Sequence, residues 1–285
     1  MSAKILVTGA PGNVGTEVVK GLQAAGVDVR IGAYHTESAR ATFGEDADIV
    51  QFDFLKPETF HEAFNGIERV FLVRPPAISN VSRDVAPAVW AAVGAGIKQI
   101  VFLSIQGVEK NPIVPHHKIE KLILQTGVPY TFLRASFFMQ NLSTTHRDEI
   151  RDRSEIVLPV GDAMTSFIDV RDIAEVAVQV LTEDGYENAK FTLTGAEALN
   201  YDQVAAKLTT TLSRPIQYTR PSLLQFVIQQ LKQGKKFGYT LVVAGLYTIT
   251  RFGNAKEVTG DVATILHREP ITFDQFAHDY REVWT

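Results

Sequence analysis

The chain has 285 residues, 28 Lys and Arg against 32 Asp and Glu, a formal net charge of −4 and no cysteine. Its length and 45% hydrophobic content suffice for a full α/β core with a smaller attached lobe, and the mild negative charge offers no basic field to nucleic acid. Without cysteine there are no disulfides, no thiolate catalysis and no cysteine-ligated zinc, and no metal is expected.

The first apolar run, Ile5-Leu6-Val7, leads into Gly9-Ala10-Pro11-Gly12-Asn13-Val14-Gly15, and Val14, Val18, Val19 and Leu22 follow at helical spacing. The glycines thus fall where a buried strand turns into a helix. Small residues there let the backbone approach a ligand, and the first-turn N–H groups point at it with the positive end of the helix dipole. Gly9, Gly12, Asn13, Val14 and Gly15 are therefore the expected pyrophosphate site of a dinucleotide cofactor. Val27 to Ala33 reads as a second strand, where such folds place an acid for the ribose 2′-OH of NAD or an arginine for a 2′-phosphate. The tip here, Ala33-Tyr34-His35-Thr36, has neither; His35 and Arg40 are the nearby candidates. NADP(H) is favoured and NAD(H) possible; the alternative for His35 is an exposed loop histidine.

Asp48 to Phe54 reads as the third strand, with Asp53 and Phe54 placed to meet adenine; the alternative for Asp53 is an N-terminal cap of the helix opened by Pro57. Arg69 to Val73 is the fourth strand. Arg74-Pro75-Pro76 ends it at the carboxyl edge of the sheet, where ligands bind, so Arg74 and Pro75 are assigned to the cofactor. A helix over 80–95, a fifth strand over 99–103 ending at Ser104, a helix over 116–125 and a strand over 130–135 continue the alternation. This rhythm implies an α/β fold with a doubly wound parallel sheet of Rossmann type. Phe137-Phe138-Met139-Gln140-Asn141-Leu142 is an apolar-aromatic turn, 165–170 reads as a strand, and Asp169 or Asp172 starts a helix to about Leu181.

From about Tyr186 the rhythm changes. Short strands are expected over 190–194 and 216–219, and helices over 201–212, 223–233, 239–252 and 271–283, the last capped by Thr272 with Gln275 three residues on. We therefore divide the chain into a dinucleotide-binding domain, 1–185, and a smaller, mostly helical lobe on the substrate side, 186–285, with exchange of segments around 136–165. The start of the chain does not read as a signal peptide, and the longest apolar stretch, Tyr239 to Ile249, is too short to span a bilayer. A cytoplasmic protein without a membrane partner is expected, as monomer or homodimer.

The G-x-x-G-x-x-G spacing resembles the short-chain dehydrogenase/reductase superfamily. That superfamily uses a serine with Tyr-x-x-x-Lys as its proton-transfer machinery, yet no tyrosine of this chain has lysine four residues later. Gly9 to Gly15, Asp53, Val73-Arg74-Pro75-Pro76, Leu103-Ser104, His116-His117-Lys118-Ile119-Glu120-Lys121, Val128 to Arg134, Phe137 to Leu142 and Phe167 to Asp172 together resemble the NmrA-like, atypical branch of the superfamily. That branch holds reductases of quinones, dyes and conjugated natural products, and cofactor-sensing regulators. With Val128-Pro129-Tyr130-Thr131 as anchor, the resemblance places His116 at the catalytic tyrosine or, in isoflavone-reductase relatives, at their lysine, and Glu120 at the lysine of Tyr-x-x-x-Lys. At ~100° per residue Ile119, Leu122 and Ile123 form the buried stripe of that helix. His116 flanks the stripe, and His117 with Lys121 lies nearly opposite, toward solvent.

His116, Glu120 and Ser104 are thus the candidate catalytic residues: His116 as proton donor or substrate-orienting group, Glu120 as its hydrogen-bond partner, and Ser104 on the nicotinamide or substrate oxygen. Phe137 is assigned to the nicotinamide, and Phe138, Met139 and Asn141 to an aromatic substrate. The expected activity is an NAD(P)H-dependent reductase passing hydride to a small conjugated acceptor, for which the lost tyrosine matters least. The alternative is a redox sensor that binds NADP without turnover.

Overall fold

Why the alternation of apolar runs and amphipathic helices closes into one sheet is visible in the computed structural model, which describes residues 4–232, 234, 237–251 and 255–285. In chain order the elements begin β1 (Ile5–Thr8), α1 (Asn13–Ala24), β2 (Val29–Ala33), α2 (Thr36–Phe43), β3 (Asp48–Gln51), α3 (Phe60–Phe64) and β4 (Arg69–Leu72). They continue α4 (Ala86–Gly94), β5 (Gln99–Ile105), α5 (Pro115–Thr126), β6 (Tyr130–Ala135), α6 (Gln140–Ser143), α7 (Arg147–Arg153) and β7 (Glu155–Val157). The remainder is α8 (Val170–Thr182), β8 (Ala189–Leu193), α9 (Tyr201–Leu212), β9 (Gln217–Thr219), α10 (Leu223–Lys232), α11 (Phe237–Arg251), α12 (Asp261–Leu266) and α13 (Phe273–Asp279). Gln233 and Phe252, at the ends of two expected helices, lie outside the described residues.

The chain divides into two compact units, residues 1–135 with 170–193, and residues 136–169 with 194–285. The first is a seven-stranded sheet in the order β3-β2-β1-β4-β5-β6-β8, every neighbouring pair parallel. The order of strand connection changes side between β1 and β4, the switch point at which ligands of such sheets bind. Strands buried on both faces explain the unbroken apolar runs, and β5 is buried over six of its seven residues. One core of this unit stacks Phe52, Phe54, Phe60 and Phe64 on Val70, Ile100 and Phe102 under α3, α4 and α5. Each such side chain contributes on the order of 1.5–3 kcal/mol.

Several boundaries differ from expectation. The strand expected over 165–170 is two isolated bridges, Phe138 to Ile168 and Thr165 to Leu199, and β8 joins the large sheet beside β6 rather than the smaller lobe. The units therefore part at 193/194, not 185/186, and the exchanged segment is 136–169. Thr272 does cap α13 by accepting from the Gln275 N–H, but the Gln275 side chain turns to Asp279, so no reciprocal box forms.

The second unit has its own core of Ile150, Phe167, Tyr201, Phe273, Phe276 and Trp284, with β7 and β9 as a two-stranded parallel ribbon. The Trp284 indole N–H donates to the Leu142 carbonyl at 3.0 Å, which satisfies its one polar atom. Among the described residues no helix is long and apolar enough to cross a membrane, and no cluster of three or more His, Cys, Asp or Glu is arranged to hold a metal.

Candidate cofactor and active site

The glycine turn is shaped by β1 and β4. The Thr8 hydroxyl donates to the Phe71 carbonyl at 3.0 Å and accepts from the Val73 N–H at 2.8 Å, extending the pairing of the two strands by one side chain. This holds Val73 against Gly9, where a Cβ would lie 2.7 Å from the valine Cβ, and Gly9 takes φ +78°, so glycine is required twice over. A Cβ at Gly12 or Gly15 would lie 2.6 Å from the Gly9 carbonyl oxygen. The turn is thus closed on itself by its own backbone. Gly12 is the N-cap of α1 with no side-chain cap, there is no acid in the first turn, and the first intrahelical bond is Thr16 N–H to Gly12 O at 2.9 Å. The N–H groups of Asn13, Val14 and Gly15 precede that ladder and carry the helix's positive end.

At the tip of β2, His35 is exposed, N-caps α2 through its backbone alone and meets Tyr34 edge-on at 4.4 Å. Arg40 sits in the last turn of α2 and pairs with Glu45 at 3.4 Å. Asp53 is buried and caps no helix: its Oδ1 accepts the Leu55 N–H at 2.9 Å in a local turn, and Lys56 is the N-cap of the short turn of helix after it. Phe54 lies in the core, edge-on to Phe52 at 4.9 Å, with one side on a surface depression of about 320 Å³ that Leu55, Pro57 and Asp84 also line.

Beyond β4 the chain turns at exposed Pro75 and Pro76. The Arg74 guanidinium folds back over this loop, its Nη1 donating to the carbonyls of Pro75 at 2.9 Å, Pro76 at 3.2 Å and Ile78 at 2.5 Å. Its Nε is buried with no hydrogen-bond partner, and among the described residues no carboxylate pairs with it. Burial lowers its pKa from the ordinary value, and the group stays charged.

Pro115 opens α5, and Ile119, Glu120 and Ile123 face the sheet. His116 lies 5.9 Å from the Phe102 ring, and neither of its ring nitrogens hydrogen-bonds to a described residue. Burial, with the Arg74 cation beside it, pushes the imidazole down to about 3. Desolvation and a like charge both oppose the imidazolium, so the neutral ring is favoured, and a proton-donor or substrate-orienting role would fall to its N–H. Its neutral N–H remains a hydrogen-bond donor.

Glu120 does not orient His116. Its carboxylate takes the Ser104 hydroxyl at 2.7 Å and the Arg134 guanidinium at 3.1 and 2.7 Å, while Arg134 also reaches Glu109 at 3.3 Å. Burial works against the Arg134 charge, but the Glu120 carboxylate outweighs it and the pKa is raised. Ser104 is 1% exposed with its proton committed to Glu120, so it holds structure rather than touching substrate. Arg134 was the residue missed in the sequence. Its signal was there: an arginine in an apolar parallel strand needs a buried acid, and Ser104 and Arg134 are register partners on β5 and β6. His117 does not point to solvent either; its Nδ1–H donates to the Val108 carbonyl at 3.0 Å, leaving Nε2 buried and unpartnered.

Phe137, Phe138, Met139 and Asn141 all belong to the second unit. Met139 is 2% exposed in that unit's core, so packing, not substrate contact, accounts for it. Phe137 packs on the same core, and the backbone of 137–139 pairs with Ile168. Phe138 and Asn141 are half-buried. The same unit holds a buried relay that the sequence did not reveal: His146 Nδ1 lies 3.1 Å from a Glu149 oxygen and Nε2 lies 3.4 Å from the Tyr247 hydroxyl.

A parallel sheet whose first strand passes through a closed glycine turn into an uncapped helix places the first unit in the Rossmann-like α/β class. The chain belongs to the NmrA-like family, whose model matches residues 1–277. It is similar to an NAD(P)H azoreductase of Xenophilus azovorans, 31% identical over 279 residues covering 96% of each chain. It is also similar to agroclavine dehydrogenase of Claviceps fusiformis, 31% identical over 299 residues and 98% of each. Its fold matches that of a Citrobacter sp. triphenylmethane reductase complexed with NADP(H), with TM-score 0.84, 22% identity, and 97% and 99% of the two chains covered.

Proposed function

We propose that this chain is an NAD(P)H-dependent oxidoreductase that passes hydride to a small conjugated acceptor, such as a quinone, a dye, an enone or an iminium ion. The observation that carries the reading is the Gly9–Gly15 turn, whose missing Cβ atoms are demanded by the turn's own carbonyl and whose helix leaves its first N–H groups uncapped. A relative of nearly equal length that is an NAD(P)H azoreductase supports it.

The N–H groups of Asn13, Val14 and Gly15 would hold the pyrophosphate, Asp53 and Phe54 the adenine, and His35 and Arg40 a 2′-phosphate. NADP(H) is thereby favoured and NAD(H) accepted. When bound, the dihydronicotinamide supplies a hydride equivalent. The chain's own work is positional. The Ser104–Glu120–Arg134 network locks the ends of β5, α5 and β6, and His116 offers a neutral N–H to the acceptor. No group here matches the tyrosine acid of the superfamily, so the proton comes from water, which suffices when a conjugated system disperses the charge.

The test is NADPH oxidation by the purified protein, a monomer or homodimer on this reading, with a panel of quinones and dyes, beside calorimetric titration with NADP+. Turnover with tight binding supports the reductase. Tight binding with no turnover on any acceptor would instead make the protein a sensor of NADP, and no binding at all would remove the site.

A further inference from the structure

Among the described residues of the first unit, Arg74 has no carboxylate partner and a buried, unpartnered Nε, and His116 has no hydrogen bond to either ring nitrogen. Arg74 carries a full charge that only three carbonyl dipoles face, its Nε is buried without an acceptor, and no described carboxylate neutralises it. The guanidinium is half-buried, with its Nε fully shielded, so an anion or electron-rich atom reaching it would meet a charge that no protein carboxylate balances. The nearest acid on α5, Glu120, is already spent on Ser104 and Arg134. Arg74 directly follows Val73, which is pressed against Gly9, so its backbone leaves the carboxyl edge of the sheet next to the glycine turn, and its guanidinium covers the loop of residues 75–78. His116, on the first turn of α5, adds an imidazole with neither ring nitrogen engaged by a described residue.

Resting on the reductase reading, we infer that Arg74 and His116 select the acceptor by charge. They receive the heteroatom on which negative charge collects as hydride arrives. Among the acceptors proposed above, the protein therefore favours neutral or anionic ones (quinones, enones, azo compounds) over those that are cations at the outset (iminium ions, triarylmethane dyes). The two classes move charge in opposite directions. In a neutral acceptor a new C–H or N–H bond forms at the electrophilic atom, and the π pair of the conjugated bond moves to the terminal oxygen or nitrogen. That atom becomes anionic and then takes a proton from water, while the dihydronicotinamide is oxidised to its cation. A guanidinium and a neutral imidazole N–H stabilise this product side more than the starting side, which is what lowers a barrier. A cationic acceptor instead brings positive charge to positive charge when it binds and loses it on reduction, so the same pair opposes binding and gives nothing to the transition state. The low pKa of His116 agrees with this arrangement: beside Arg74 the ring stays neutral and adds a donor without a second charge.

The experiment compares menadione, methyl red and malachite green as neutral, anionic and cationic acceptors with NADPH. It also measures spectral titrations of the two dyes against the NADP+-loaded protein, which read charge preference without turnover. Wild type should favour menadione and methyl red over malachite green in kcat/KM, and methyl red over malachite green in Kd, each by about tenfold or more. Arg74→Gln, which keeps a donor for the loop carbonyls, should shrink both preferences to about threefold or less, and Arg74→Lys should retain them. Malachite green bound and reduced as well as methyl red overturns the inference, as does an unchanged preference in Arg74→Gln. If Arg74→Gln weakens NADPH about tenfold and leaves the dye preference intact, the charge belongs to the cofactor and the inference falls. If no acceptor is turned over, the reductase reading fails by itself, and the dye titrations still decide whether Arg74 selects by charge.

Discussion

His116 shows how one environment can keep a residue at its expected place and change its chemistry. The imidazole titrates near 6.5 in an unfolded chain and at about 3 in the fold, because burial and Arg74 oppose its charge. Between those values the unfolded chain binds more protons, so the stability contributed by the neutral ring is fully present above pH 6.5 and is lost as pH falls toward 3. His116→Gln should flatten that part of the acid limb. Urea midpoints measured from neutral pH down to about pH 4 check it, and parallel loss in both proteins would mean that the ring is protonated in the fold. Gly12 carries a second prediction. A side chain there meets the Gly9 carbonyl at 2.6 Å, so Gly12→Val must open the turn, and both melting temperature and NADP+ affinity should fall, the latter by about tenfold or more. Calorimetry on the folded variant measures it; unchanged affinity would detach the cofactor from this turn.

At the scale of elements, β5, α5 and β6 are fastened to one another by the Ser104–Glu120–Arg134 network. Glu120→Ala leaves the half-buried Arg134 guanidinium with only Glu109 and the buried Ser104 hydroxyl without its acceptor, and should cost about 3 kcal/mol, measured by urea unfolding. Glu120→Leu with Arg134→Met, which removes both charges together, should recover much of that loss; a double variant as weak as the single one would show that the charges act separately. Most strands and helices of the first unit were legible because apolar runs are punctuated by Gly or Pro and the helices carry an apolar stripe, whereas α2, with a single buried residue, was not, and β8 was assigned to the other lobe. The network was not legible, because i,i+4 spacing on α5 says that His116 and Glu120 are neighbours but not which strand each one meets. The helix covers β5 and β6 with Glu120 and turns His116 toward Phe102 and Arg74, so the two side chains part company. The same limit hid the role of 165–170, whose alternation looks like a strand but whose backbone makes only isolated bridges.

Across the whole molecule the net charge of −4 repels any nucleotide, and NADPH, with a phosphate of about −1.5 to −2 charge beyond NADH, more than NADH. A preference for NADP(H) must therefore come from local cations that outweigh the general field. At the tip of β2 those are His35, which is exposed, and Arg40, which is held by Glu45 at 3.4 Å in a pair whose side chains are 42% and 84% exposed. An exposed pair of this kind is worth roughly 0–1 kcal/mol, so Glu45 competes only weakly with a 2′-phosphate for Arg40. Glu45→Gln should release Arg40 and tighten NADPH by about two- to fivefold while leaving NADH unchanged, and Arg40→Gln should do the reverse to NADPH alone. Both cofactors are titrated by fluorescence against each variant at low and at raised salt. The NADPH advantage should shrink as salt rises, because a surface contact is screened within a Debye length of about 8–10 Å. If Arg40→Gln changes NADPH and NADH alike, or neither, Arg40 does not meet the 2′-phosphate, and the selectivity has to be sought at His35 and at the N-terminus of α2.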